Sequence, residues 1–388
     1  MAAAQGARRE RLHLAAVVDS FARLSPAQQL VDRFLLGYPH DGEFRQPAAR
    51  LHRIHVVDGG GEVDVEVDVE VERRRLLFGF ERSADLTAAV GEASAVIVVR
   101  DRPWLPDERG LLRRVLENVA EGAAVFAWGI PATNPDEARA LEALAGRRRL
   151  VLSGGTFLPA TWRLPAVDVG WRAELREALV VVVGERGPAF LGGLDALQSL
   201  VERRRGGEAG VRRVRRLEGG DVWKFFAESV SFQELLASAV SRSDTPRGDP
   251  ERDGRTQDIV GKGLLPELVQ RPVLALLEHA DGLRSAVVRL DGAVRDFNFA
   301  VRDTAGRVTS AQLYRPPPPG EHHYDRLAAL LDEFFVHRRP PHPFERNVLV
   351  GALLGALLRA GDGAPGLAYR ALPRSEFRRG APGPDYPR

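Results

Sequence analysis

The stretch that decides the fold is Leu12–Val18, LHLAAVV, succeeded by Asp19-Ser20 and then by Ser25-Pro26, which heads a helical pattern through Leu36 that Gly37 closes. A short apolar run with β-branched residues ending at a polar pair reads as a buried strand. A Ser cap, Pro in the first turn and Gly past the end mark the limits of a helix. Working outward, the unit recurs. Residues 53–57 (RIHVV) end at Asp58, and 76–80 form a third candidate strand before a short helix at 83–90. Residues 95–99 (AVIVV) end at Arg100-Asp101 and lead into a helical pattern over 108–120. Residues 123–127 precede a helix at 135–145, and 150–152 end at Ser153-Gly154-Gly155. Strands alternating with helices at this spacing predict an α/β fold that opens with a Rossmann-like, doubly wound parallel sheet, residues 1–160.

After Leu164 the pattern changes. A strand at 177–183 and a helix from 193 to 204 are followed by a Gly/Arg/Glu-rich stretch at 206–220 and a polar loop at 241–262. Strands then come in succession at 273–278, 284–290, 294–301 and 308–314, with Asp281-Gly282 and Asp291-Gly292 as hairpin turns. Helices at 323–336 and 344–359 close the region. This predicts a C-terminal α+β domain, 161–360, with an open, mostly antiparallel sheet covered by helices on one face. Residues 361–388 form a Pro/Gly-rich tail. Residues 63–72 (VDVEVDVEVE) alternate strictly and precede Arg73-Arg74-Arg75, so they read as an exposed edge strand with an acidic face. Such a flat comb of carboxylates does not converge on a cation.

The 388 residues suffice for two domains, and 44% hydrophobic with 28% charged residues is a globular composition. Basic residues number 55 against 53 acidic, and all but Lys224 and Lys262 are Arg. Glu202, Glu208 and Glu218 interleave the Arg clusters at 203–205 and 212–216, a solvated face rather than a nucleic-acid footprint. Without cysteine there is no disulfide, thiolate nucleophile or Cys-ligated metal. The nine histidines show no metal-binding spacing, so no metal site is expected. The apolar stretch at 12–18 is too short for a secretory core, and the run at 348–358 falls below the roughly 18 residues that span a bilayer. A cytoplasmic chain with no membrane partner is the expectation.

In an open parallel sheet, ligands lie beyond the carboxyl ends of the strands. That rule nominates Asp19, Ser20, Asp58, Arg100, Trp128 and Gly129 as cofactor-binding positions. Asp58, ending a second strand, suits the adenine-ribose hydroxyls of NAD and would repel a 2′-phosphate. The first strand-to-helix turn carries Asp19-Ser20-Phe21-Ala22-Arg23 in place of G-x-G-x-x-G, and an acid there faces a diphosphate unfavourably. Trp162-Arg163, where the chain crosses between the two regions, could stack on and hydrogen-bond a small-molecule substrate, or pin the domains together. Lys224, read on a surface strand, is a candidate for chemistry needing a deprotonatable amine. His323, at a helix start, is a candidate for proton transfer through titration near neutral pH.

Four stretches carry a resemblance: 126–145 (FAWGIPATNPDEARALEALA), 190–203 (FLGGLDALQSLVER), 153–165 (SGGTFLPATWRLP) and 344–360 (FERNVLVGALLGALLRA), which follows a Pro-containing turn. With the order of elements from 12 to 360, they resemble the Gfo/Idh/MocA family of glucose–fructose oxidoreductase and inositol dehydrogenase-like proteins. The resemblance implies a dinucleotide-binding domain joined to an open-sheet domain, NAD-dependent oxidoreduction of a sugar or cyclitol-like metabolite, and pairing into a homo-oligomer through the open sheet. Where the family has Glu-Lys-Pro, Gly129-Ile130-Pro131 keeps only the proline; no histidine stands near Asp195, and the phosphate-binding glycines are missing. Two functions therefore remain: an oxidoreductase with altered catalytic groups, or a catalytically degenerate ligand-binding or assembly module.

Overall fold

The computed structural model describes residues 12–57, 65–245, 259–316 and 321–359. The first sheet is built in chain order from β1 (Leu12–Val18), α1 (Pro26–Leu36), a small ribbon of β2 (Tyr38–His40) and β3 (Glu43–Arg45), and β4 (Ala49–Val56). Then come α2 (Val65–Phe78), β5 (Glu81–Arg82), α3 (Leu86–Val90), β6 (Ala95–Val99), α4 (Leu111–Asn118), β7 (Ala124–Trp128), α5 (Pro135–Arg147) and β8 (Val151–Gly155). The strand order is β5-β4-β1-β6-β7-β8 and every pair is parallel. The chain winds outward from β1 to β5, then returns to β6 on the other side, so the switch point lies between β1 and β6. Ser25 Oγ accepts the Gln28 N–H at 3.3 Å, capping α1 as its sequence predicts. At Gly37, with φ +90°, a Cβ would lie 2.5 Å from the Arg45 carbonyl oxygen, so only glycine fits the turn into the ribbon.

A 3-10 turn at Leu158–Ala160 leads into the second sheet. Its elements are β9 (Arg163–Leu164), β10 (Leu175–Val182), α6 (Arg186–Val201), β11 (Val211–Glu218), α7 (Gly220–Glu228), α8 (Val230–Val240) and α9 (Leu265–Leu268). The last elements are β12 (Val273–His279), β13 (Arg284–Arg289), β14 (Phe297–Asp303), β15 (Val308–Leu313), α10 (His323–His337) and α11 (Phe344–Leu358). The order β11-β12-β13-β10-β14-β15-β9 is antiparallel except where β10 pairs with β13. The last two helices return to the first sheet. α10 packs with α1 over Leu14, Ala16 and Val18, while α11 lies between the sheets, sharing one core with α5 and another with α6. Leu349, Leu353 and Leu354 of α11 are wholly buried, and each contributes roughly 1.5–3 kcal/mol relative to exposure.

Several expectations are corrected. The acidic repeat is the helix α2 over the described residues from 65 on, and 76–78 belong to that helix rather than to a strand. Parallel strands β4 and β5 need a crossover between them, which a strand could not supply. Spacing by four also pairs Val67 with Val71 on the buried side and Glu70 with Arg74 in an ion pair. The stretch at 206–220 contains β11, and Lys224 stands on α7 instead of a strand. α6 begins at Arg186, before the predicted 193. The second sheet is covered on both faces, by α6 and α11 on one and by α7 and α8 on the other. Asp58, residues 63–64, most of the 241–262 loop and the 361–388 tail lie outside the described residues.

Candidate functional site at the carboxyl ends of the parallel strands

The carboxyl ends of β1 and β6 meet through Asp19, whose Oδ1 accepts the Asp101 N–H at 2.6 Å. Burial pushes the Asp19 carboxyl up, against the pull of that hydrogen bond. Ser20 Oγ stands 3.5 Å from the Ala22 N–H. Arg100 turns its guanidinium onto the backbone of its own loop, donating to the carbonyls of Leu105 at 3.1 Å and Pro103 at 3.3 Å. Pro103 in turn packs on Gly129. With φ +84° there, a Cβ would lie 2.6 Å from Pro103 Cβ, so the close approach requires glycine. Asp19, Ser20 and Arg100 thus form one group, joined to Gly129 by the loop after β6.

A second group gathers at the end of β7. The Trp128 indole lies 6.2 Å from the Phe157 ring and 5.6 Å from Tyr324, and Phe157 meets His323 edge-on at 4.3 Å. His323 is 1% exposed. Neither ring nitrogen makes a hydrogen bond among the described residues, although Glu321 Oε2 stands 3.2 Å from Nε2. Burial, with the nearby Arg315 and Arg33 charges, pushes this imidazole down to about 2. It stays neutral across ordinary pH, and the expected titration near neutrality is corrected.

Beyond β8, a polar cluster that the sequence leaves largely unmarked fills the seam between the sheets. Asp195 Oδ2 accepts the Thr156 N–H at 2.7 Å and its hydroxyl at 2.9 Å. Arg346 of α11 forms a buried two-point pair with Glu202 at the end of α6, and its Nη1 lies 4.0 Å from Asp195 Oδ1. His342 Nε2 contacts the Gly154 carbonyl oxygen at 2.8 Å. Ser153 Oγ and Asn347 Nδ2 are buried without a hydrogen-bond partner among the described residues. The signal that could have found Arg346 is its place, with Asn347, at the head of a helix that runs apolar from Val348 to Leu358. A charge on such a helix needs a buried partner.

The remaining candidates lie apart. Arg163 is buried, pairs with Asp168 and sits 5.5 Å from the centre of the Phe299 ring. Burial lowers its pKa to about 10, so it stays charged at neutral pH. Trp162 beside it is buried too, at the edge of the second sheet. Lys224 is exposed on α7, over the face of the second sheet turned away from α6. Asp58 is not among the described residues. No group of metal-ligating side chains occurs among the described residues, and none of their helices is long and apolar enough to cross a membrane.

No protein-family model and no curated protein matches the sequence. Solved structures do match. Myo-inositol 2-dehydrogenase from Lactobacillus plantarum aligns over 92% of this chain and 100% of its own, with a TM-score of 0.57 and 9% identity. GenD2 from gentamicin A biosynthesis, in complex with NAD, aligns over 92% of this chain and 96% of its own, with a TM-score of 0.58 and 14% identity. Apo scyllo-inositol dehydrogenase from Lactobacillus casei aligns over 91% and 98%, with a TM-score of 0.55 and 12% identity. At such identities the likeness is one of fold: a Rossmann-like parallel sheet joined to a mostly antiparallel one, the architecture of the Gfo/Idh/MocA-type dehydrogenases.

Proposed function

We propose that the protein is a small-molecule-binding member of this dehydrogenase fold that does not carry out its hydride transfer. The observation that carries this is what occupies the two positions where the resemblance puts a lysine and a proton-transferring group. At Gly129-Ile130-Pro131 the Ile130 side chain is 3% exposed and packs in the core of the second sheet. At Gly192, in the second turn of α6, a Cβ would stand 2.7 Å from Leu158 Cδ1, so the apolar Leu158 side chain faces this position. Asp195, the nearest acid, is held by Thr156. His323, beside the end of β7, is kept neutral by burial, and His342 at the end of β8 is held against the Gly154 carbonyl oxygen. Proton transfer coupled to hydride transfer needs a group that can change its charge near the operating pH. The ligand this reading favours is small and polar, bound near the seam where Ser153 and Asn347 keep unused polar atoms.

A second reading, NAD-dependent oxidation of a sugar or cyclitol, rests on the fold shared with GenD2 in its NAD complex. Asp19, Ser20, Arg100, Trp128 and Gly129 are the positions it would use, with Asp58 on the ribose. Incubation with NAD or NADP and a panel of inositols and sugars separates the two. We expect no appearance of reduced cofactor; turnover with any member of the panel would overturn the proposal.

A further inference from the structure

The acidic helix α2 starts at the carboxyl edge of the first sheet, and its first two turns reach the turn after β1. Glu66 Oε1 accepts the Arg23 N–H at 3.1 Å, and Glu70 Oε2 accepts from the Gln28 side-chain amide at 3.0 Å. The neighbouring N–H groups are occupied as well. Leu24 donates to the Gln28 side-chain oxygen at 2.5 Å, and Gln28 to Ser25 Oγ. Arg74, one turn beyond Glu70, binds that carboxylate and Asp32 of α1, with its guanidinium 5.5 Å from the centre of the Phe21 ring. Open parallel sheets offer this turn, and the helix end behind it, to an anion. Here a carboxylate from 43 residues away takes one of its N–H groups.

The seating is nonetheless shallow. α2 buries Val67 and Val71, while Val65, Val69, Leu76 and Leu77 are exposed. The Arg75–Glu72 and Arg82–Asp68 pairs on its outer side are exposed enough to contribute only roughly 0–1 kcal/mol each, while the Arg74 pairs to Glu70 and Asp32 are more shielded. An element with few buried apolar contacts opens at lower cost than the core.

We propose that α2 is an intramolecular plug: its Glu66 and Glu70 carboxylates close the first strand-to-helix turn, and a diphosphate-bearing ligand reaches that turn only by displacing them. This does not depend on whether the chain transfers hydride. The test is hydrogen exchange read by mass spectrometry on the full chain, with calorimetric titration by ADP, for the wild type and the double variant Glu66→Gln, Glu70→Gln. Protection over residues 21–28 and over α2 is expected to fall together in the variant and in the wild type at high salt, with β6 and β7 unchanged. ADP is expected to bind the variant at least about tenfold more tightly, about 1.4 kcal/mol. Independent opening of the two segments in wild type at high salt would overturn the proposal, and this arm stands even if the variant fails to fold. Equal ADP affinity for both proteins, or no binding by either, would overturn it as well.

Discussion

Glu208 shows at the scale of a single residue how burial and hydrogen bonding compete. It lies just past α6, wholly shielded, and accepts from His279 Nδ1 at 2.9 Å, Gln198 Nε2 at 2.8 Å, the Gly210 N–H at 2.8 Å and the Arg204 guanidinium. Ser285 Oγ stands 2.8 Å from His279 Nε2, completing a serine–histidine–glutamate line. Ser285 is fully buried in the middle of the sheet, so the line braces β12 against the end of α6 and presents no nucleophile to a substrate. Burial alone would raise the Glu208 carboxyl; the hydrogen bonds and charges of His279 and Arg204 overcome it and hold the carboxyl at about 2, against the usual 4.5. A depressed carboxylate contributes stability above its unfolded pKa and loses it as pH falls through the folded one. The window is therefore roughly pH 4.5 down to 2. Glu208→Gln is expected to destabilise the fold at pH 7 by about 3 kcal/mol. The gap from wild type in urea-unfolding free energy should narrow steadily below pH 4.5; a gap that stays constant with pH would count against this assignment.

At the scale of elements, α11 depends on two glycines one turn apart. A Cβ at Gly351 would meet the Ala132 carbonyl oxygen at 2.1 Å, and one at Gly355 the Thr133 carbonyl oxygen at 2.6 Å. The helix presses directly on the backbone after β7, which fixes where Arg346 meets Glu202. Gly351→Ala is expected to cost about 1–3 kcal/mol by overpacking, read as a lower urea midpoint. An unchanged midpoint would mean the contact is loose. The regular strands are legible in the sequence because buried runs such as 95–99 and 124–128 carry no competing pattern. α2 is not: Val-acid alternation has the period of a strand, and only the crossover geometry and the Glu70–Arg74 pairing reveal the helix. Lys224 is misplaced by its sequence for a related reason, since a Gly-rich approach hides the start of α7.

At the scale of the whole molecule, the order of strands around β1 places Asp19, Arg100, Trp128 and Gly129 along one edge, as the alternation of elements implies. The polar seam is not legible, because Asp195, Thr156, Glu202, His342 and Arg346 come together only when α11 returns between the sheets. Fold and chemistry separate here. The architecture is shared with solved dehydrogenases, while a carboxylate of α2 takes an N–H group of the first turn and Ile130 packs in the core of the second sheet. The most direct test is calorimetric titration of the wild type with NADH and, separately, NADPH. No binding heat is expected from either up to about 1 mM, the equivalent of roughly 4 kcal/mol of binding free energy. Micromolar binding of NADH, weakened by Asp58→Ala and clearly poorer for NADPH, would contradict it and restore the dehydrogenase reading.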